Sequence, residues 1–158
     1  MCKINFKKTL PYIGSILFMI ILSYIYFSPD ILEGKVLFQG DTQQGIAIGQ
    51  EGKAFREATG ETTRWTNSLF SGMPNFQISP SYANNYWMGQ IGRIYHLGLQ
   101  SPASLVFIMM LGFFILLSAM KIRWYLALVG AIAYAFSSYF FIIIGAGHIW
   151  KFITLAYI

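Results

Sequence analysis

Three long apolar segments alternate with polar stretches along the chain. The first is Leu10 to Phe27, and the second and third are Ala103 to Met120 and Trp124 to Ile144. A helix needs about 20 apolar residues to cross a bilayer, so each segment predicts a transmembrane helix. Residues 152–158 begin another apolar run that is too short to span, and we interpret them as the start of a further helix in a longer, multispan protein.

The amino-acid composition agrees with a membrane protein. Charged residues make up 11% of the chain, whereas an average soluble domain is about 25% charged. The net charge of +5 comes without a basic cluster that contains interleaved aromatic residues, so the sequence indicates no nucleic-acid partner. Membrane lipid is the partner that the composition predicts.

Basic residues at the ends of the apolar segments predict the topology. Lys3, Lys7 and Lys8 precede the first segment, and Lys121 and Arg123 lie in the short linker between the second and the third. Lysine and arginine concentrate in cytoplasmic loops, so the N-terminus is predicted to be cytoplasmic. A cleaved signal peptide is the rival interpretation of the first segment, but the bulky residues at its exit are unlike a cleavage site and favour an uncleaved anchor.

The sequence therefore predicts an all-α, multi-pass integral membrane protein with a large, partly helical outer loop. Its predicted segments are a cytoplasmic N-terminus at 1–9, a transmembrane helix at 10–27, an extracytoplasmic loop at 28–102, transmembrane helices at 103–120 and 124–144 around a cytoplasmic loop at 121–123, an extracytoplasmic turn at 145–151 and the start of a truncated helix at 152–158. All 6 acidic residues lie in the large outer loop, which makes that loop the first place to look for a site.

Asp41 follows the first apolar segment closely and precedes a predicted helix from Thr42 to Thr59, which Gly60 would end. Asp41 stands where a helix N-cap belongs, and Gln44, three residues later, would complete a capping box. A chemical role for the carboxylate is the alternative interpretation. The sequence leaves both open.

The rest of the outer loop is rich in aromatic and amide side chains. Trp65 and Asn67 belong to this stretch, which runs from Glu61 to Trp87. Aromatic faces beside amide groups suit an amphipathic ligand such as a sugar, and they suit a layer at the membrane interface equally well. The stretch from Trp87 to Leu99 has the pattern of an interfacial helix that leads into the second span.

The end of the third segment carries His148, which follows a Gly-Ala-Gly sequence, and then Trp150 and Lys151. The last two residues are typical of interface anchors, with the lysine reaching towards the headgroups. In the predicted topology, His148 lies on the same side of the membrane as Asp41. The two histidines, His96 and His148, are isolated from other ligand residues, so the spacing predicts no metal site.

Three motifs carry a resemblance to a known family. The sequences GDTQQGIAIGQE, GETTRWTNSLFSGMPNFQ and AFSSYFFIIIGAGHIWK resemble the YfhO-type bacterial membrane proteins, in the form typical of Bacteroidota. The resemblance runs over nearly the whole chain and implies the N-terminal part of a longer, polytopic, C-type glycosyltransferase-like fold in the bacterial inner (cytoplasmic) membrane. It also implies a polyprenyl-phosphate-linked sugar and a cell-envelope polymer acceptor as partners.

The resemblance implies a catalytic role for Asp41, because the C-type fold has an acidic residue in its first outer loop. Transfer of the sugar requires a base for the acceptor hydroxyl, and a carboxylate can act as that base. Cations would meet the phosphate leaving group. The candidate substrate-binding residues are Arg56, Arg64, Trp65, Asn67, His148 and Lys151. The cofactor is unknown: a divalent metal ion between Asp41 and the phosphate is compatible with the chemistry, but one carboxylate predicts no metal site.

A second function from a different class remains open at the level of sequence. A non-enzymatic transporter component or envelope scaffold would use Asp41 as a helix cap and would place polar residues along a pathway inside the membrane.

Overall fold

In a computed structural model of the chain, residues 6–35, 37–77 and 85–157 are described, and they are mostly helical, as the sequence predicts. The described helices are α1 (Phe6–Tyr26), α2 (Ser28–Leu32), α3 (Gly40–Ile48), α4 (Gln50–Thr59), α5 (Asn85–Tyr95), α6 (Ala103–Ala119), α7 (Trp124–Ala135), α8 (Ser138–Ala146) and α9 (Ile149–Tyr157). Two short antiparallel strands, β1 (Trp65–Thr66) and β2 (Met73–Pro74), form a hairpin that a single 3-10 turn, Asn75–Gln77, follows.

Among the described helices, α1 is the one that is long and apolar enough by itself to cross a membrane, over Thr9–Tyr26. Helices α7 and α8 meet the same criterion only when they are taken together as one bent span, and α6 is a shorter apolar helix. An N-terminal signal sequence can be as long and as apolar as α1, so these two properties do not distinguish it from a membrane-spanning helix. Helix length and composition thus give one candidate span, or two, where the sequence predicts three.

The prediction of one continuous helix over 124–144 is wrong. The helix breaks after Ala135, and the axes of α7 and α8 differ by 45°. Ser137 has an extended backbone, which removes it from the helical ladder, and the ring of Tyr26 from α1 packs edge-on against Phe136 beside the break. Helix α8 then continues to Ala146, so the predicted turn at 145–151 shortens to Gly147 and His148 before α9 begins.

Helix α6 lies at the centre of the helical core and packs against α1, α7 and α9. Small residues permit the closest approaches. A Cβ added to Gly112 of α6 would collide with the carbonyl oxygen of Ala156 in α9. In α7, Ala127, Ala131 and Ala135 stand at a spacing of four residues and are fully buried, so they form a helix-packing face.

The predicted helix from Thr42 to Thr59 is present as two helices, α3 and α4, with a break at Gly49. Gly60 has a left-handed backbone (φ +77°), and its N–H donates to the carbonyl of Arg56, so the predicted C-terminal cap is confirmed. Helix α4 packs against β1, while α3 packs against α8. The outer loop of the sequence prediction is therefore attached to the helical core at the end of α8.

Helix α5 ends at Tyr95, four residues before the predicted end of the interfacial helix. Leu97 and Gly98 both have positive φ values, which the α-helix does not allow. The hydroxyl of Tyr157 in α9 donates to the carbonyl oxygen of Tyr95 over 2.8 Å, and this bond ties the end of α5 to the core.

Candidate functional site

The structure brings together two of the residues that the sequence singles out. The Oδ2 atom of Asp41 in α3 lies 3.4 Å from the Nε2 atom of His148, which stands immediately before α9. Both side chains remain open to solvent, with 56% of Asp41 and 55% of His148 exposed. A carboxylate next to an imidazole can hold the ring in one orientation and can exchange a proton with it. We call these two residues the Asp41–His148 pair.

The pair is positioned by a direct contact between the start of α3 and the end of α8. Gln39 donates its Nε2–H to the carbonyl oxygen of Ile144 over 2.8 Å. The same carbonyl oxygen accepts the backbone N–H of Gly147 over 3.1 Å, so the Gln39 side chain adds a second hydrogen bond at the end of α8 and joins it to the start of α3. The hydroxyl of Thr42 donates in turn to Oε1 of Gln39 over 3.1 Å, which orients the glutamine.

Gly147 lets the two segments approach each other. Its backbone is left-handed (φ +98°), a conformation that glycine adopts at little cost. A Cβ at this position would also lie 2.9 Å from Oγ1 of Thr42, so the Thr42 hydroxyl would have to shift, which disturbs its hydrogen bond to Gln39. The second glycine of the Gly-Ala-Gly sequence before His148 is therefore required by both its backbone conformation and the close approach of Thr42.

Asp41 does not cap α3. The helix begins at Gly40, its N-cap is Gln39, and the N-cap side chain makes no capping hydrogen bond. Asp41 is therefore the second residue of the first turn, and the predicted capping box with Gln44 is wrong. Its carboxylate still interacts favourably with the positive end of the helix, but it accepts no N-cap hydrogen bond and faces His148 instead.

A cleft of about 350 Å³ lies beside His148 and is lined by residues 147–151, including Lys151. Lys151 is exposed, in the first turn of α9. Asp41 lies in the first turn of α3 and His148 immediately precedes α9, so the N-termini of both helices adjoin the Asp41–His148 pair. Helix N-termini carry a partial positive charge and exposed N–H groups, so the cleft has the character that an anionic group such as phosphate requires.

The other predicted binding residues, Arg56, Arg64, Trp65 and Asn67, belong to a different part of the loop: α4 and the hairpin of β1 and β2, which we call the α4–hairpin unit. Arg56 is exposed on α4, and Arg64 is exposed just before β1. The backbone carbonyl of Arg64 accepts the N–H of Asn75, a bond inside the unit. The structure does not place these side chains at the Asp41–His148 pair.

Glu51 organises the α4–hairpin unit, and sequence reasoning did not identify it. Its Oε2 atom accepts hydrogen bonds from the Thr66 hydroxyl (2.6 Å), the Asn67 backbone N–H (2.8 Å) and the Ser68 hydroxyl (2.9 Å). The bonds from Thr66, Ser68 and Asn67 lower the pKa of the Glu51 carboxyl from its ordinary value. The sequence feature that could have indicated this role is the run of hydroxyl and amide side chains from Thr66 to Ser68. No known spacing pattern links such a run to an acid 15 to 17 residues earlier.

Asn67 therefore has a structural partner, because its side-chain Nδ2 also donates to Oε1 of Glu51 over 3.3 Å. Trp65 is constrained as well. Its indole ring lies against Gly72, where an added Cβ would be 2.7 Å from Nε1. One side of the ring remains open, since 53% of the residue is exposed. The predicted sugar-binding role of Trp65 is compatible with this open face, whereas the contacts of Asn67 are those of a hairpin brace.

Within the described ranges, no group of three or more His, Cys, Asp or Glu side chains is placed to hold a metal ion. The Asp41–His148 pair supplies two potential ligands, which is fewer than the protein ligands of a catalytic zinc site. The chemistry that the pair can perform by itself is proton transfer and the binding of a polar or charged substrate group.

Comparisons with protein families, with curated proteins and with solved structures found no match to this chain.

Proposed function

We propose that this chain is part of a polytopic membrane glycosyltransferase-like protein that transfers a sugar from a polyprenyl-phosphate carrier to a cell-envelope acceptor. The observation that carries the proposal is the 3.4 Å contact between Asp41 and His148. Two residues that are far apart in the sequence form an open proton-transfer pair beside a cleft whose walls favour an anion. The YfhO-like motifs in the sequence support the same reaction.

The proposed arrangement in the bacterial inner membrane has four embedded elements: α1, α6, the bent pair α7–α8, and α9. The N-terminus is cytoplasmic, and the Asp41–His148 pair lies at the outer face. Support comes from α1, whose apolar stretch is only 17% buried within the protein and thus offers an apolar surface to lipid. The basic residues Lys121 and Arg123, in the short connection between α6 and α7, support the cytoplasmic side for that connection.

The proposed reaction requires a base, a leaving group and a charge that stabilises it. The acceptor hydroxyl gives its proton to the carboxylate of Asp41 while its oxygen forms a bond to the anomeric carbon of the sugar. The bond between that carbon and the phosphate oxygen breaks, and the polyprenyl phosphate departs with the electron pair. Asp41 is suited to the role of base because its carboxylate is exposed and is not occupied as an N-cap.

The cations have separate proposed roles. His148 holds the Asp41 carboxylate in place and, when protonated, adds positive charge next to the phosphate. Lys151 and the N-terminus of α9 face the same cleft and balance the charge of the leaving group. Arg56 and Arg64 would contact the carrier or the acceptor only if the α4–hairpin unit moves towards the pair. Trp65 offers an open aromatic face to a sugar ring.

The alternative function, a non-enzymatic transporter component or scaffold, assigns Asp41 to a helix cap. The absence of a capping hydrogen bond at the start of α3 favours the enzymatic proposal over this alternative.

The test is Asp41→Asn in the protein expressed in its bacterial host, with Glu57→Gln as the control. Asparagine keeps the size and the polarity of Asp41 but cannot accept a proton, so we expect sugar transfer to fall by ~10²–10⁴-fold. Glu57 is exposed on α4 and pairs only with Lys53 among the described residues, so its variant is expected to transfer normally. Protein level is measured by immunoblot and envelope glycan composition by mass spectrometry. Unchanged glycan in the Asp41→Asn strain would refute the proposed base.

A further inference from the structure

A second cavity, separate from the cleft at His148, lies where α1 ends. It has a volume of about 290 Å³, is open to solvent on one side and is lined by the end of α1, the short helix α2, Leu37 and the end of α8. Three aromatic residues, Tyr26, Phe27 and Phe141, line it together with one acidic side chain, Asp30. The cavity thus combines aromatic rings with a single carboxylate.

Asp30 has no ordinary structural task within the described residues. No described side chain or backbone group forms a hydrogen bond or an ion pair with its carboxylate, although neighbouring Glu33 is paired with Lys35. Asp30 does lie in the first turn of α2, where an acid is favourable. That helix is only 5 residues long, however, so its dipole is weak and does not explain a carboxylate facing an apolar cavity.

The aromatic rings are fixed by contacts with one another. The ring of Tyr26 lies 4.9 Å from that of Phe27 in an edge-to-face arrangement and 5.2 Å from that of Phe141 in a tilted one. Phe27 is almost fully buried, while half of Tyr26 remains exposed. Aromatic faces are electron-rich, and several rings around one space attract an organic cation.

We propose that this cavity binds an organic ammonium group, with Asp30 as the counter-ion and Tyr26, Phe27 and Phe141 as the aromatic walls. An anion is disfavoured because it would meet the carboxylate. A purely apolar occupant is disfavoured because it would leave the carboxylate without water or a partner. An alkylammonium group satisfies both features, since its charge meets Asp30 and its C–H surface meets the rings. The ammonium can belong to a small soluble amine or to a lipid headgroup.

The ammonium site is independent of the proposed glycosyl transfer, because none of its four defining side chains belongs to the Asp41–His148 pair. The two sites are nevertheless adjacent along α8. Ile144 lines the ammonium cavity, and its carbonyl oxygen accepts the hydrogen bond from Gln39 that positions α3.

The test uses choline and its uncharged isostere, 3,3-dimethyl-1-butanol, as probes of the purified chain in a non-ionic detergent. Binding is followed by saturation-transfer NMR of the probe methyl groups at constant ionic strength. We expect choline to bind and the neutral alcohol, which has the same shape, to bind at least about tenfold more weakly, because it lacks the positive charge that attracts the Asp30 carboxylate and the ring faces. Equal binding of the two probes would overturn the proposal.

Variants locate the site. Asp30→Asn keeps the shape of the side chain but removes its negative charge and is expected to weaken choline binding about tenfold or more, whereas Glu33→Gln, three residues away, should leave it unchanged. Phe141→Leu removes one aromatic wall and should weaken binding several-fold. Choline binding that is the same in the Asp30→Asn protein would place the ligand elsewhere and refute the assignment, whatever the folding state of the Phe141 variant.

The source of the ammonium group is distinguished with lipid nanodiscs. If the headgroup of a membrane lipid occupies the site, phosphatidylethanolamine should displace choline and phosphatidylglycerol should not. If the ligand is a soluble amine, neither lipid should displace choline, while ethanolammonium ions should. Displacement by both lipids alike would show that acyl chains fill the cavity, which would contradict an ammonium site.

Discussion

Gly147 is the residue on which the geometry of the Asp41–His148 pair depends most directly. Its φ of +98° is unfavourable for any residue with a side chain, and an added Cβ would lie 2.9 Å from Oγ1 of Thr42. For Gly147→Ala we expect the left-handed backbone to cost about 1–2 kcal/mol. Displacement of Thr42 would also loosen the hydrogen bond from Gln39 to Ile144, which contributes about 0.5–1.5 kcal/mol. The expected loss of stability is therefore roughly 1.5–3.5 kcal/mol.

Gly145→Ala is the matched control, two residues away. Gly145 lies inside α8, and no atom stands within 4 Å of the position of an added Cβ. Alanine is favoured over glycine in a helix interior by about 0.8–1 kcal/mol, so this variant should be as stable as the natural protein or slightly more stable.

Unfolding of the purified protein in mixed micelles measures the loss of stability. Double electron–electron resonance between spin labels at exposed Ile46 in α3 and exposed Ile142 in α8 measures the separation of the two helices. We expect Gly147→Ala to lengthen and broaden the distance distribution and Gly145→Ala to leave it unchanged. Thr42→Ala in the Gly147→Ala background should recover the steric part of the loss but not the part that comes from the left-handed backbone. Identical behaviour of the two glycine variants would refute the role of Gly147 in holding α3 on α8.

Three further predictions concern other parts of the molecule. The hydrogen bonds to Glu51 lower the pKa of its carboxyl in the folded state, so their contribution to stability is complete above the ordinary pKa of 4.5 and is lost as the pH falls through the lower folded-state pKa. Hydrogen exchange of residues 61–77 should accelerate in that acid range. Glu51→Gln should accelerate the exchange already at neutral pH, whereas Glu57→Gln should not. Gly112→Ala should destabilise the protein by roughly 1–3 kcal/mol, because the added methyl group overpacks against the carbonyl of Ala156. Gly92→Ala is the control and should cause no such loss, since its added Cβ meets no atom within 4 Å. Equal unfolding curves for the two variants would contradict the close approach of α6 and α9. A cysteine at exposed Gln43 should react with a membrane-impermeant thiol reagent in intact spheroplasts and one at Lys121 should not; the reverse labelling would contradict the proposed topology.

The sequence was sufficient for features that depend on local pattern. The apolar runs predict the positions of α1 and α6 to within a few residues, and the left-handed cap at Gly60 follows from helix-ending chemistry. The buried alanine face of α7 follows from spacing alone. Each of these features is set by residues that are close together in the chain.

The features that the sequence could not give depend on contacts between distant segments. The break between α7 and α8 falls at two serines, Ser137 and Ser138, but hydroxyl residues also occur inside continuous membrane helices, so the pattern does not decide it. The start of α3 is fixed by the bond from Gln39 to Ile144, which displaces Asp41 from the predicted N-cap position. Glu51 finds its partners 15 to 17 residues further along the chain, across the rest of α4 and the segment that leads to β1. For the site, the sequence identified Asp41 and His148 and their common side, but not their contact.

The most direct test of the Asp41–His148 pair is a double-mutant cycle on sugar transfer. The single variants Asp41→Asn and His148→Gln and the double variant are expressed at equal levels in the host, and transfer is measured from the envelope glycan. Residues that act as one unit give effects that are far from additive. We predict a large loss for Asp41→Asn, a smaller loss for His148→Gln and no additional loss in the double variant. Losses that multiply in the double variant, or normal transfer by Asp41→Asn, would contradict a shared role of the two side chains in catalysis.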